Sequence, residues 1–201
     1  MRTAFFLLGL LLACAAAEAA SLPAGATRAG DGYALTVYFT PLESGYTEAA
    51  GFRYPSMRIN AVGRRLSPDF IHAVEMEGCG RLSRPAKGKG YLRSDGSWQL
   101  ASAPVGISGR RLVPRVSCAV GAGSGLKSGD WIVLRSPSLP ASVQGHAWRV
   151  DDRGGGVGAR QIDLYWGEDV SKGPGRLLTQ AAGSPLSSAR NVTVYKVPPP
   201  Q

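Results

Sequence analysis

The sequence predicts an all-β fold, and three observations support this prediction. Short segments rich in β-branched and aromatic residues recur along the chain, and these residue types favour strands. Glycine and proline, 27 and 14 of the 201 residues, separate these segments as turn residues do. No segment has a strong 3.6-residue apolar period over the length of a helix. Short strands with such punctuation are typical of sandwiches and barrels, and the chain length favours a single domain.

The predicted strands can be placed in order along the chain. They are residues 34–40, 57–62, 70–76, 111–120, 129–135, 146–150, 161–166 and 191–197. The first ends at Pro41, which cannot continue a ladder of hydrogen bonds. One short helix is predicted within residues 170–182. The segment 87–90 is predicted to be a flexible basic loop.

The N-terminus has the composition of an export signal. Residues 1–19 combine Arg2, an apolar run at 5–12 and a zone of small residues, and the apolar run is too short to span a bilayer. Two forms of processing remain open: cleavage after Ala19, or lipidation of Cys14 within a Leu-Leu-Ala-Cys sequence. Both predict an exported protein, periplasmic or extracellular, which lipidation would attach to the outer membrane. Residues 20–32 are predicted to be a mobile lead-in, 33–197 the folded domain and 198–201 a disordered tail.

The net charge of +9 favours an anionic partner. Because the chain is predicted to be exported and lacks a nucleic-acid-binding motif, that partner is expected to be a cell-wall polymer rather than nucleic acid. A membrane is expected as a partner only if Cys14 is lipidated. A basic surface that serves solubility alone is the alternative.

The cysteines and histidines give few indications of further chemistry. Cys79 and Cys118 would be exposed to an oxidising compartment, so either a disulfide or two buried thiols is possible. The two histidines, His72 and His146, have no ligand residues at metal-binding spacing, and no metal is expected. The glycines at 154–158 are not followed by the Gly-Lys-Ser/Thr of a phosphate loop, so no cofactor is expected.

The stretch 148–167 carries the strongest functional pattern. From residue 161 the sequence alternates, which places Asp163 on the face of a strand opposite that of three apolar residues, Ile162, Leu164 and Trp166. Val150 is expected to point into the same core. Four glycines between Asp152 and Asp163 permit a tight reversal of the backbone, so the two carboxyls could approach each other. The alternative is that both aspartates simply cap turns.

This stretch resembles the signature of the three-aspartate, or 3D, domain family. The family motif reads roughly Asp-Thr-Gly-Gly-Ala-Ile-Lys-Gly-Asn-Arg-Ile-Asp, and the chain matches its register without a gap at residues 152–163. The runs 38–44 and 77–82 are also similar to segments of the family. The resemblance implies a six-stranded double-psi β-barrel. It also implies the activity of peptidoglycan lytic transglycosylases, several of which belong to the family.

The resemblance also implies residue roles. Asp163 takes the place of the catalytic aspartate and Asp152 that of the acid upstream. Tyr165 is expected to line the substrate cleft. The other expected substrate-binding residues are Arg153, Arg160, Glu43 and Glu77.

One departure from the family pattern leaves two functions open. The family's first aspartate falls near Ala122, where this chain has no carboxylate, and Asp130 lies beyond the turn. The first hypothesis is a lytic transglycosylase in which Asp163 acts as both acid and base. The second is a non-catalytic barrel that binds cell-wall glycan or a protein partner.

Overall fold

The computed structural model describes residues 21–46, 56–169, 186 and 188–200. Its first half contains β1 (Thr27–Pro41), a 3-10 helix (Glu43–Tyr46), β2 (Met57–Ile59), β3 (Arg64–Leu66), α1 (Pro68–Glu77), β4 (Cys79–Ala86), β5 (Lys89–Ser94) and β6 (Trp98–Ala101). Its second half contains β7 (Ser117–Val120), β8 (Trp131–Arg135), α2 (Ala141–Gln144), β9 (Ala147–Arg153), β10 (Gln161–Asp169) and β11 (Ser188–Val197).

Six of the described strands close a barrel in the order β1-β10-β7-β9-β8-β11. The pairs β1/β10 and β7/β9 are parallel, and the other four pairs are antiparallel. This pairing is unchanged when the half β1-β7-β8 is exchanged with the half β9-β10-β11, so the topology has two-fold symmetry. The predicted all-β, six-stranded barrel is therefore confirmed, while its assignment as double-psi stays a prediction.

The barrel core follows the alternation read from the sequence. Val150, Ile162 and Leu164 are fully buried in one apolar cluster, as predicted. Trp166 packs against this cluster but is partly exposed, with its ring stacked on Trp148 at 6.2 Å between centroids. The largest aromatic side chain in the barrel core is thus Trp148 rather than Trp166.

A second lobe is inserted between β1 and β7. This inserted lobe, residues 43–46 and 56–112, contains the β2/β3 hairpin, α1 and the antiparallel sheet β4-β5-β6. It has a separate apolar cluster centred on Phe70, Val74 and Leu92. The predicted strand at 57–62 therefore belongs to the inserted lobe and not to the barrel.

The prediction of a strand at 70–76 is wrong, because this segment forms α1. Ser67 precedes the helix, Pro68 opens it, and Gly78 ends it in the left-handed conformation with φ of 78°. These start and stop signals outweigh the β-branched content of the segment. The helix packs closely on β4, where a Cβ at Gly80 would lie 2.4 Å from Cγ2 of Val74.

The chain ends differ from the sequence prediction in one respect. Residues 20–32 were expected to be mobile, yet β1 begins at Thr27 because Thr27 and Arg28 pair with Lys196 and Tyr195 of β11. The predicted signal at 1–19, including Cys14, and the predicted helix at 170–182 lie outside the described residues. Neither of the described helices is long and apolar enough to cross a membrane.

The two cysteines among the described residues are buried and unpaired, so of the two alternatives left open the structure supports two buried thiols and not a disulfide. Cys79 lies in β4 of the inserted lobe, whereas Cys118 lies in β7 within the barrel core. The thiols therefore belong to different packed regions. Burial raises the pKa of Cys79 to about 11, which keeps this thiol protonated and unreactive at neutral pH.

Candidate active site

A cleft of about 380 Å³ lies between the barrel and the inserted lobe. The barrel wall consists of β1 around Val37, the end of β9, the glycine loop 154–157 and the start of β10. The inserted lobe contributes the end of α1, Arg93 of β5, and Val105 and Ile107 of the loop 104–109. Asp152, Asp163 and Glu77 all line this cleft.

The sheet register brings Asp152 and Asp163 together. Strand β7 lies between β9 and β10, and Ala119 of β7 is paired with Asp163 on one side and with Asp152 on the other. The two aspartates therefore occupy one row across three strands, about 10 Å apart between backbones. The small side chain of Ala119, which also lines the cleft, leaves open the space between them.

A β-bulge selects Asp152 rather than Asp151 for the cleft. The register shifts between Cys118 and Ala119, so that Cys118 pairs with Val150 and Ala119 with Asp152, leaving Asp151 as the extra residue. Asp151 is fully buried and pairs with the Arg149 guanidinium at 2.7 Å. The two adjacent aspartates are thus placed differently: Asp151 forms a buried ion pair, whereas Asp152 faces the cleft.

Asp152 is an anchored carboxylate. Its Oδ1 accepts hydrogen bonds from the backbone N–H of Ile107 at 2.6 Å and of Arg153 at 2.8 Å. Burial raises the pKa of Asp152, while these two bonds, the Tyr38 hydroxyl and the charge of Arg93 act in the opposite direction. These four donors and charges favour the ionised form and fix the orientation of the carboxylate.

Asp163 is held more loosely. Within the described residues it receives one long hydrogen bond, from Nε2 of Gln161 to Oδ1 at 3.3 Å. Burial raises the pKa of Asp163, the Gln161 bond lowers it, and the charge of Asp152 raises it again. Because fewer groups stabilise its carboxylate form, Asp163 is better suited than Asp152 to hold and release a proton.

Sequence reasoning did not identify Gln161 as a site residue. Its Nε2 also donates to Oγ1 of Thr36 at 2.9 Å, and its Oε1 accepts from the backbone N–H of Gly158 at 3.2 Å. Gln161 thus connects the glycine loop and β1 to Asp163. The available signal was its spacing, because residues two apart on a strand share a face.

Glu77 lies at the C-terminal end of α1, on the wall opposite the barrel strands. Burial raises the pKa of Glu77 to about 8; a hydrogen bond from the backbone of Phe39 lowers it, and the charge of Asp163 raises it. Glu77 is therefore protonated at neutral pH.

Sequence reasoning also did not identify Arg93 of β5 and the loop 104–109 as parts of the site. Its Nη2 donates to the carbonyl of Ile107 at 3.3 Å and pairs with Asp95 at 2.9 Å. Arg93 thereby holds the loop whose Ile107 N–H donates to Asp152. The loop approaches so closely that a Cβ at Gly106 would lie 2.7 Å from the Asp152 carboxyl.

Three residues expected to bind substrate do not line the cleft. Tyr165 is fully buried, because Leu112 and Tyr38 pack over it on the outer face of β10. Its hydroxyl is hydrogen-bonded to that of Thr40. The other two, Glu43 and Arg160, are engaged elsewhere, Glu43 with Arg64 and Arg160 with the carbonyl of Asp31.

Two further residues are Arg153, which was expected to bind substrate, and Asp130, which lies beyond the turn that follows Ala122. Arg153 does line the cleft, but its Nη2 donates to the carbonyl of Leu126 at 2.7 Å. Asp130 pairs with Lys196 at 2.7 Å, and it does not line the cleft. Asp130 therefore does not replace the carboxylate that is lacking at Ala122.

No protein-family model matches the sequence, and no curated protein is similar to it in sequence. Similar folds are found among solved structures. E. coli MltA with bound chitohexaose has 15% identity and a TM-score of 0.54, over 82% of this chain and 71% of that chain. A membrane-bound lytic murein transglycosylase from Agrobacterium tumefaciens has 12% identity and a TM-score of 0.49, over 82% of this chain and 73% of that chain.

A further solved structure is LtgG, a lytic transglycosylase of Burkholderia pseudomallei. It has 17% identity and a TM-score of 0.43, over 82% of this chain and 71% of that chain. At such low identity these similarities concern the fold alone. The chain therefore shares its overall fold with E. coli MltA, the structure with the TM-score of 0.54.

Proposed function

We propose that this chain is an exported lytic transglycosylase that cleaves peptidoglycan. The observation that carries the proposal is the row Asp163-Ala119-Asp152, which places two partly buried carboxyls in one cleft. The similarity of the fold to E. coli MltA supports it. So does the resemblance of residues 152–163 to the three-aspartate signature.

The reaction assigned to this cleft needs one proton carrier. Protonated Asp163 donates its proton to the oxygen of the bond between N-acetylmuramic acid and N-acetylglucosamine as that bond breaks. The ionised Asp163 then accepts the proton of the muramic acid 6-hydroxyl, whose oxygen attacks the anomeric carbon. The product is a 1,6-anhydro sugar, and no water is consumed.

Asp152 serves a different purpose in this scheme. Its hydrogen bonds from Ile107 and Arg153 favour a carboxylate that stays ionised. A fixed negative charge stabilises the positive charge that develops on the sugar ring in the transition state. The same charge raises the pKa of Asp163 and so helps to keep its proton in place.

The proposed partner and location follow from the same assignment. A glycan strand of peptidoglycan would lie in the cleft, and the net charge of +9 favours binding to an anionic wall. E. coli MltA was solved with chitohexaose, which makes this oligosaccharide a suitable soluble probe for the present chain. The signal-like residues 1–19 support export, with or without lipidation of Cys14.

The test is digestion of purified sacculi by residues 20–201, followed by mass spectrometry of the released muropeptides. We expect 1,6-anhydro products, released about 10²- to 10⁴-fold more slowly by an Asp163→Asn variant. Release of reducing sugars instead would contradict the transglycosylase assignment. A wild-type chain that sediments with sacculi but releases nothing would favour the binding module, which the missing carboxylate at Ala122 also favours.

A further inference from the structure

Glu77 occupies an unfavourable position for a negative charge. It is the last residue of α1, directly before Gly78, and the last turn of this helix contains no basic residue. The C-terminus of a helix carries a partial negative charge, which disfavours a carboxylate there. Its position on the helix therefore favours the neutral acid.

The groups around Glu77 act mainly in the same direction. Asp163 on β10, Asp152 on β9 and the half-exposed Glu75 of α1 place three further carboxyls in the same cleft. The neighbouring phenol of Tyr46 and thiol of Cys79 are neutral, since burial raises the pKa of both. The backbone N–H of Phe39 is the one contributor that lowers the pKa of Glu77.

The arginines of the cleft are engaged elsewhere. Arg93 pairs with Asp95 and donates to the carbonyl of Ile107, and Arg153 donates to the carbonyl of Leu126. Four carboxyls line this partly buried cavity, and they are not all ionised without directed cations. Glu77 therefore presents a hydroxyl donor to the cleft, on the wall opposite Asp163.

We propose that Glu77 binds the glycan as a neutral carboxylic acid, by donating its O–H to an acceptor oxygen of a bound N-acetylated sugar. This rests on the proposed function for the identity of the ligand. Ionisation of Glu77 removes the donor and adds a negative charge close to Asp163. Glycan binding then depends on a proton that the catalytic step does not use.

The expected size of the effect follows from the fraction of protonated Glu77. With a pKa of about 8, that fraction falls from about nine-tenths at pH 7 to about one-tenth at pH 9. Because the apparent affinity scales with the binding-competent fraction, binding is expected to weaken about tenfold over this interval.

The test is isothermal titration calorimetry with chitohexaose at pH 7 and pH 9. Glu77→Gln keeps an N–H donor but cannot ionise. The affinity of this variant for chitohexaose is therefore expected to change by less than about twofold between pH 7 and pH 9. Glu168→Gln is the matched control, since Glu168 does not line the cleft and pairs with Arg81 at 2.8 Å. This variant is expected to show the tenfold loss of the wild-type chain.

Three results would overturn the proposal. The first is a wild-type affinity that does not change between pH 7 and pH 9, and the second is a tenfold loss of affinity over the same interval in Glu77→Gln. The third is no binding of chitohexaose by the wild-type chain. If Glu77→Gln does not fold, carboxyl NMR of wild-type Glu77 decides instead, and a pKa below about 6 overturns the proposal. A chain that binds with the expected pH dependence but cleaves no sacculi supports the role of Glu77 and refutes the transglycosylase.

Discussion

The two walls of the cleft are built in different ways. On the barrel wall, Asp152 and Asp163 are fixed by the pairing of β9, β7 and β10, so their separation is set by the sheet. On the opposite wall, Glu77 comes from a helix end, while Arg93 and the loop 104–109 come from a separate sheet and its return segment. The barrel wall carries the two carboxyls assigned to bond cleavage, together with Gln161, which contacts Asp163. The inserted wall carries Glu77 and the loop that orients Asp152.

This difference implies that substitutions on the two walls have different consequences. A change at Asp163 removes the proposed proton carrier, whereas a change at Asp152 or on the inserted wall alters the pKa or the orientation of a neighbouring group. The variants below test this separation, from the largest expected effect to the smallest.

The largest effect is expected for Asp163→Asn on the barrel wall. Asparagine keeps the shape of the side chain but cannot carry a proton, so cleavage of sacculi should fall by about 10²- to 10⁴-fold. The measurement is the rate of muropeptide release, with sacculus binding by sedimentation as the control for an intact cleft. Equal rates for the variant and the wild-type chain would show that Asp163 is not the proton carrier.

The next effect concerns the two apolar cores. Trp148→Ala in the barrel and Phe70→Ala in the inserted lobe each remove a fully buried side chain, and each should lower the free energy of unfolding by about 3–5 kcal/mol. The two residues lie in separate clusters, so the losses should add within about 0.5 kcal/mol in the double variant. Urea unfolding measures all three, and a clear departure from additivity would show that the two lobes share one core.

A smaller effect is expected where the inserted wall touches the barrel. Gly106→Ala places a Cβ 2.7 Å from the Asp151 carbonyl and the Asp152 carboxyl, which should cost about 1–3 kcal/mol and displace the Ile107 N–H. Gly90→Ala in β5 is the control, because no heavy atom lies within 4 Å of its added Cβ. Similar urea midpoints for the two variants would contradict the close approach at Gly106.

The smallest effect is expected for Asp152→Asn, which should leave partial activity. The charge of Asp152 raises the pKa of Asp163, so its removal lowers that pKa. Activity needs protonated Asp163 and is lost as the pH rises through its pKa. The upper limb of the pH–rate profile should therefore move to lower pH, and a shift to higher pH would contradict the assigned interaction.

The sequence was sufficient to predict the strands of the barrel and the alternation of β10 in its wall. Residues 161–166 alternate with a period of two, so the placement of Ile162 and Leu164 inside and of Asp163 on the other face follows from local pattern alone. All six barrel strands overlap segments predicted as strands. The alternation is present in the sequence because each strand buries one face in the barrel core.

The inserted wall and the outer face of β10 could not be predicted in the same way. Tyr165 was expected in the cleft because it lies on the same face of the strand as Asp163, but Leu112, 53 residues earlier, covers it. The roles of Arg93 and Gly106 depend on the approach of a loop to Asp152. These are long-range contacts, and no local periodicity encodes them. The helix α1 is a different case, because its signals at Ser67, Pro68 and Gly78 were present in the sequence.

The strand order of the barrel has a consequence for how the chain folds. β1 pairs with β10 and β11, so Ala34 must find Gln161 and Thr27 must find Lys196 before the barrel closes. Such distant pairings make loop closure slow, whereas β4, β5 and β6 are joined by short turns and can form early. We therefore expect the inserted lobe to gain protection from hydrogen exchange before the barrel does during refolding. The two walls of the cleft would then form at different times. The carboxyls of Asp152 and Asp163 would come to lie opposite Glu77 only in the last step.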